Sequence, residues 1–158
     1  MTKMGNDPVN HPSHYNGQFQ MKPAECINLT QWLTFCLGNA VKYIWRCGNK
    51  NTEDHGYEDF KKAIWYLKRH LSLPEMAHYS GFEGDARNIF SLLIKPDKSD
   101  AINFWKYFTI LVLLQEGEED YKNTLAWQLE LEKMLGGLRA VMIDKGYWPD
   151  GDADVWSL

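Results

Sequence analysis

The stretch GNAVKYIWRCGNK, residues 38–50, gathers cations and an amide at helical spacing. Asn39, Lys42, Tyr43 and Arg46 fall at i, i+3, i+4 and i+7, which is one stripe of a helix. Leu37, Val41, Ile44 and Trp45 form the opposing apolar face. Lys50 lies just past Gly48 and Asn49, residues able to reverse the chain and bring its ammonium back toward the stripe. A guanidinium fork with two point charges suits a phosphate chain. A solvated charged face would show the same spacing, so both readings stand at this point.

Asp59, Lys62, Tyr66 and Arg69, with Glu58 alongside, make a second stripe one segment later. Asp59 with Lys62 and Tyr66 with Arg69 are also ordinary i, i+3 pairings, worth roughly 0.2–0.5 kcal/mol. A functional role for this stripe requires the two helices to pack side by side. Upstream, HPSHY at 11–15 places Ser13, His14 and Tyr15 on a loop fixed by Pro12. A histidine titrating near pH 6.5 can donate to phosphate or shuttle a proton, which makes His14 a candidate. The His11-x-x-His14 spacing has no clearly spaced third ligand, so no metal site is expected.

Helices must position these groups. NDPVNHPSHYNGQ at 6–18 reads as an irregular N-terminal loop. Pro23 is acceptable in a first helical turn, and Ala24, Ile27, Leu29, Trp32, Leu33 and Phe35 predict a helix ending near Gly38. The stripe helix follows and ends at the CGNK turn. Phe60, Ala63, Ile64, Leu67 and Leu71 mark another amphipathic helix that stops before Pro74. Further helices are expected near 85–94, 99–115 and 118–145, before the tail GYWPDGDADVWSL. No strand pattern of useful length appears. The expected fold is all-α, a small helical bundle with an irregular N-terminal loop and a C-terminal helical extension. The division is 1–73 for the domain bearing the stripes and 74–158 for an extension packed on it.

The run INFWKYFTILVLL is apolar around nearly its whole circumference, so it must be buried on more than one side. In the following helix, Tyr121, Leu125, Gln128, Leu129 and Glu132 form one narrow, partly apolar seam and Trp127, Leu131, Met134 and Leu138 an adjoining one. This surplus of apolar surface predicts homo-oligomerisation or a lid over the site, with packing inside a monomeric bundle as the competing explanation.

At 158 residues, with 44% hydrophobic and 24% charged content, the chain is of ordinary globular type. The net charge of −4 is unevenly spread. Residues 37–71 carry seven Lys/Arg against Glu53, Asp54, Glu58 and Asp59, whereas 72–158 are strongly acidic. A local basic patch on an acidic chain argues against duplex nucleic acid, which rewards a broad cationic face, and fits a small anion better. Cys26, Cys36 and Cys47 are odd in number and lack CxxC spacing, and the N-terminus has no apolar signal segment. A cytoplasmic protein is expected. No apolar run approaches the roughly 20 residues of a membrane helix, so no membrane partner is expected.

Three blocks, HPSHY at 11–15, CLGNAVKYIWRCGNK at 36–50 and YEDFKKAIWYLKRH at 57–70, resemble those of a small phage-encoded family catalogued as a domain of unknown function. The family pattern reads approximately P-S-H-Y, then G-N-x-x-K-Y-x-x-R-x-G-x-K, then D-x-x-K-A-x-x-Y. One member, from a short-tailed coliphage, is a nucleoside monophosphate kinase without a P-loop. The resemblance covers about residues 8–71 and does not extend to 72–158. It implies phosphoryl transfer from a nucleoside triphosphate to a deoxynucleoside monophosphate, dTMP or dGMP, in the cytoplasm of an infected host cell. By that resemblance His14, Lys42 and Arg46 are the catalytic candidates. Ser13, Tyr15, Asn39, Tyr43, Lys50, Asp59, Lys62 and Tyr66 are the candidates for substrate binding. The triphosphate is the donor, and no metal or other cofactor is required. No G-x-x-x-x-G-K-[ST] motif occurs, so side chains would neutralise the phosphates in place of a P-loop backbone. Two alternatives remain: a non-catalytic protein that sequesters a nucleotide signal of host defence, and an all-α nucleotide pyrophosphohydrolase. The latter needs paired metal-binding carboxylates, and EGEED at 116–120 is a single cluster.

Overall fold

The computed structural model describes residues 25–48, 53–73, 90–91, 94–114, 125–151 and 157–158. Five helices and no strand appear among them: α1 (Ile27–Thr30), α2 (Phe35–Arg46), α3 (Tyr57–Ser72), α4 (Ala101–Leu114) and α5 (Leu125–Asp144). The all-α expectation holds. Of the helix expected over 85–94, residues 90–91 are helical and 92–93 and most of the remainder lie outside the described residues. So do Pro23 and the acidic cluster at 116–120.

The helix predicted to run from Pro23 to near Gly38 is instead broken over residues 31–34. α1 ends at Thr30, and α2 begins after Thr34, whose backbone is extended at φ −61°, ψ 160°. Gly38 therefore lies inside α2 and terminates nothing. Its missing side chain lets the α1 backbone approach: a Cβ there would lie 3.3 Å from the Thr30 carbonyl oxygen. Apolar periodicity runs through both segments, and only the crossing of α1 over α2 reveals the break.

α2 lies against α3, α4 pairs with α5, and α2 also contacts α4. The apolar face read from the sequence is the buried one, with Leu37, Val41 and Ile44 fully buried and Trp45 nearly so. Phe60, Ala63, Ile64 and Leu67 meet it from α3. Burying a side chain of this size contributes roughly 1.5–3 kcal/mol, so the α2–α3 seam is a major source of stability.

Between these helices, Gly48 and Gly56 come close together in space. Gly48 and Gly56 adopt φ values of +75° and +81°, and a Cβ on Gly56 would lie 2.4 Å from the Gly48 nitrogen. Asp54 stabilises the start of α3, its carboxylate accepting from the N–H groups of Gly56 (3.1 Å) and Glu58 (2.9 Å). An acid there also complements the positive end of the helix.

The C-terminal helices share this core. The indole of Trp148 packs on Phe60, with ring centroids 4.7 Å apart, and donates to the His55 carbonyl at 3.1 Å. Asp100 begins α4 by accepting from the N–H groups of Ile102 and Asn103. Gly137 of α5 has no room for a side chain, because Trp105 of α4 fills the space at 2.3 Å from an ideal Cβ. The two-sided burial expected of α4 is found, with Tyr107, Ile110, Val112, Leu113 and Leu114 all buried. On α5 the seam of Trp127, Leu131 and Leu138 is buried, while Leu125 and Leu129 stay 69% and 55% exposed.

Candidate functional site

Packing of α2 beside α3 brings the two stripes together. Lys42, Arg46 and Lys62 all approach the ring of Tyr43, at 4.4 Å, 5.7 Å and 5.6 Å from its centroid. Tyr66 of α3 stacks on Tyr43 with centroids 5.9 Å apart and planes within 16°. Cation–π attraction of roughly 0.5–1 kcal/mol per contact helps hold the three charges beside one ring.

Arg46 does not simply join a solvated face. Its Nε lies 3.6 Å from Asp59 Oδ2, and both side chains are largely buried, at 14% and 8% exposure. Asp59 thus reaches across to the neighbouring helix, where the sequence also allowed an i, i+3 pairing with Lys62. Lys42 donates to Asn39 Oδ1 at 2.9 Å, and Asn39 Nδ2 donates to the Phe35 carbonyl at 2.8 Å. This relay fixes the ammonium against α2. Arg69, on the outer part of the second stripe, is exposed.

Among the described residues Asp59 is the single carboxylate ion-paired within this cluster. Three cations around one ring therefore repel one another. Repulsion between like charges grows as water is excluded from around them. A polyanion bound there would relieve that repulsion.

A cleft of about 390 Å³ opens beside the cluster, lined by Thr30, Leu33, Thr34, Phe35, Gly38, Asn39 and Lys42. Sequence reasoning gave Asn39 and Lys42 but missed Thr34 and Phe35. Phe35 stands four residues before Asn39 and seven before Lys42, so it extends the same stripe, a signal obscured by assigning it to the preceding helix.

A second omission is Lys106, the one charge in the apolar run of α4. It is fully buried, and its Nζ donates to the Trp45 carbonyl at 2.9 Å and to the Cys47 carbonyl. These carbonyls lie at the C-terminal end of α2, on either side of Arg46. Lys106 thus caps that helix end, where carbonyls lack helical partners and a cation is favoured. Burial pulls its pKa from 10.5 down to about 7, against nearby groups that favour the charged form. Burial pushes the Cys26 and Cys47 thiols up to about 12, so neither is a reactive thiolate near neutral pH.

His14, Ser13, Tyr15 and Lys50 lie outside the described residues. Among the described residues no group of three or more His, Cys, Asp and Glu side chains is arranged to hold a metal ion. No helix there is long and apolar enough to cross a membrane.

Fold and geometry together define a small all-helical protein with a cation-lined aromatic seam between α2 and α3. Residues 9–68 match the family model DUF3310, described as a protein of unknown function. That segment spans the HPSHY block, all of α2 and most of α3, close to the 8–71 extent of the resemblance drawn from the motifs. No curated protein and no solved structure matches the chain.

Proposed function

We propose that the protein is a nucleoside monophosphate kinase that transfers the terminal phosphoryl group of a nucleoside triphosphate to dTMP or dGMP. The observation that carries this reading is the convergence of Lys42, Arg46 and Lys62 around Tyr43, next to a cleft of nucleotide size. In the proposed step an oxygen of the acceptor monophosphate attacks the γ-phosphorus. A new P–O bond forms as the bond to the β–γ bridging oxygen breaks, and the electron pair stays on the departing diphosphate. Two nucleoside diphosphates result.

Such transfer depends on positioning and charge stabilisation, which ammonium and guanidinium groups supply. The acceptor is itself an ionised phosphate near neutral pH, with a second pKa near 6, so the step needs no strong base. The tie between Asp59 and Arg46 is compatible with that requirement. His14, Ser13, Tyr15 and Lys50 belong to the proposed site through the family resemblance, and the triphosphate is the only cosubstrate proposed.

The test is incubation of the full-length protein with labelled triphosphate and a panel of deoxynucleoside monophosphates, with and without a chelator. Labelled diphosphate should form, and a substantial fraction of the rate should survive chelation. Tight nucleotide binding with no diphosphate would replace turnover by sequestration.

A further inference from the structure

Phe35 is the most exposed large apolar side chain among the described residues, at 75%. It shares the cleft with Asn39 and Lys42, and its ring meets the edge of Tyr66, with centroids 6.0 Å apart. Tyr66 in turn stacks on Tyr43, the ring ringed by cations. One surface therefore runs from an open aromatic face to a concentrated positive charge. Phe35 and Lys42 are seven residues apart in one helix, roughly 10 Å along its axis, the scale of a nucleoside phosphate.

Thr34 supplies an independent sign. It is the residue preceding α2, where a threonine hydroxyl usually accepts a helix N–H, yet it makes no such cap bond. Its Oγ1 is closed off from solvent, has no hydrogen-bond partner among the described residues, and belongs to a residue lining the cleft. A rotation of this side chain about its Cα–Cβ bond would turn the unsatisfied hydroxyl into the cleft, where a ligand's donor or acceptor could meet it.

We propose, resting on the nucleotide reading above, that the cleft is the base-binding end of the site. The base stacks on Phe35, its polar edge is met by Thr34, and its phosphates run toward Lys42, Arg46 and Lys62. Tyr43 is not the stacking platform, because Tyr66 and the three cations already surround it. A stacking platform tolerates any base, whereas a hydroxyl beside it discriminates among their edges.

Calorimetric titration of the full-length protein with dTMP, dGMP and inorganic tripolyphosphate tests the assignment. Phe35→Ala should weaken both nucleotides roughly tenfold and leave tripolyphosphate unchanged, and Phe35→Tyr should restore binding. Lys42→Ala should weaken all three ligands. Truncating a ring this exposed leaves the core intact, and far-ultraviolet circular dichroism verifies that. Wild-type nucleotide affinity in Phe35→Ala, with binding lost in Lys42→Ala, would overturn the base assignment alone. Loss in Trp65→Ala with Phe35→Ala unaffected would overturn it too, since Trp65 also packs against Tyr66 but does not line the cleft. Absence of binding by the wild-type protein would bring down the nucleotide reading and this inference together.

Discussion

Lys106→Met removes the buried amine that joins α4 to the end of α2. Methionine keeps the apolar stem but leaves the Trp45 and Cys47 carbonyls without this donor. Each lost bond costs about 1–3 kcal/mol, giving about 4 kcal/mol near pH 9, where the wild-type amine is neutral and still offers two N–H groups for two carbonyls. At lower pH the wild-type protein carries a buried charge, and its advantage shrinks. The folded-state pKa is depressed from 10.5 to about 7, so between those values the unfolded chain binds more protons. The stabilisation is therefore complete above pH 10.5 and is lost as pH falls through 7. With about 1.4 kcal/mol per pKa unit, the linkage relation gives a change of about 2 kcal/mol between pH 9 and pH 7. The cost of the substitution should thus be about 2 kcal/mol at pH 7. Urea unfolding of both proteins at pH 6, 7, 8 and 9 measures the difference directly. The buried thiols titrate in both proteins and largely cancel in the comparison. A difference that is flat across this range, or that narrows as pH rises, would refute the argument.

Three further outcomes are expected. Lys42→Ala should lose about 1.5–3 kcal/mol of nucleotide affinity in calorimetry while its melting temperature stays near wild type, whereas Arg46→Ala should also melt lower because it leaves the buried carboxylate of Asp59 uncompensated. Pairing Arg46→Ala with Asp59→Asn should recover much of that stability without restoring binding. Gly56→Ala should lower the melting temperature by roughly 5 °C or more in calorimetric scans, since left-handed backbone costs about 1–2 kcal/mol and the added Cβ meets the Gly48 backbone. Light scattering of the full-length protein should show self-association through the exposed Leu125 and Leu129, and Leu125→Glu with Leu129→Glu should abolish it. A strictly monomeric wild-type protein over a wide concentration range would leave those leucines as isolated surface residues.

Much of the architecture follows from local spacing. The 3.6-residue period fixes which side of α2 is apolar, and Leu37, Val41, Ile44 and Trp45 are buried as that period requires. The same period places Asn39, Lys42, Tyr43 and Arg46 on one stripe, because side-chain direction in a helix depends only on position along it. The apolar run of α4 likewise requires burial on several sides. What no local pattern could specify is partnership. Asp59 had an acceptable neighbour in Lys62, yet the pairing found is with Arg46, because packing α2 against α3 removes both groups from water and makes their mutual attraction count. The break over residues 31–34 is hidden in a sequence whose apolar spacing continues through it, and it becomes visible only where Gly38 admits the Thr30 backbone. Lys106 reads in sequence as a lone charge in an apolar run. Its carbonyl partners lie 61 and 59 residues earlier, and the tertiary fold alone decides that a buried amine meets the C-terminal end of a helix there.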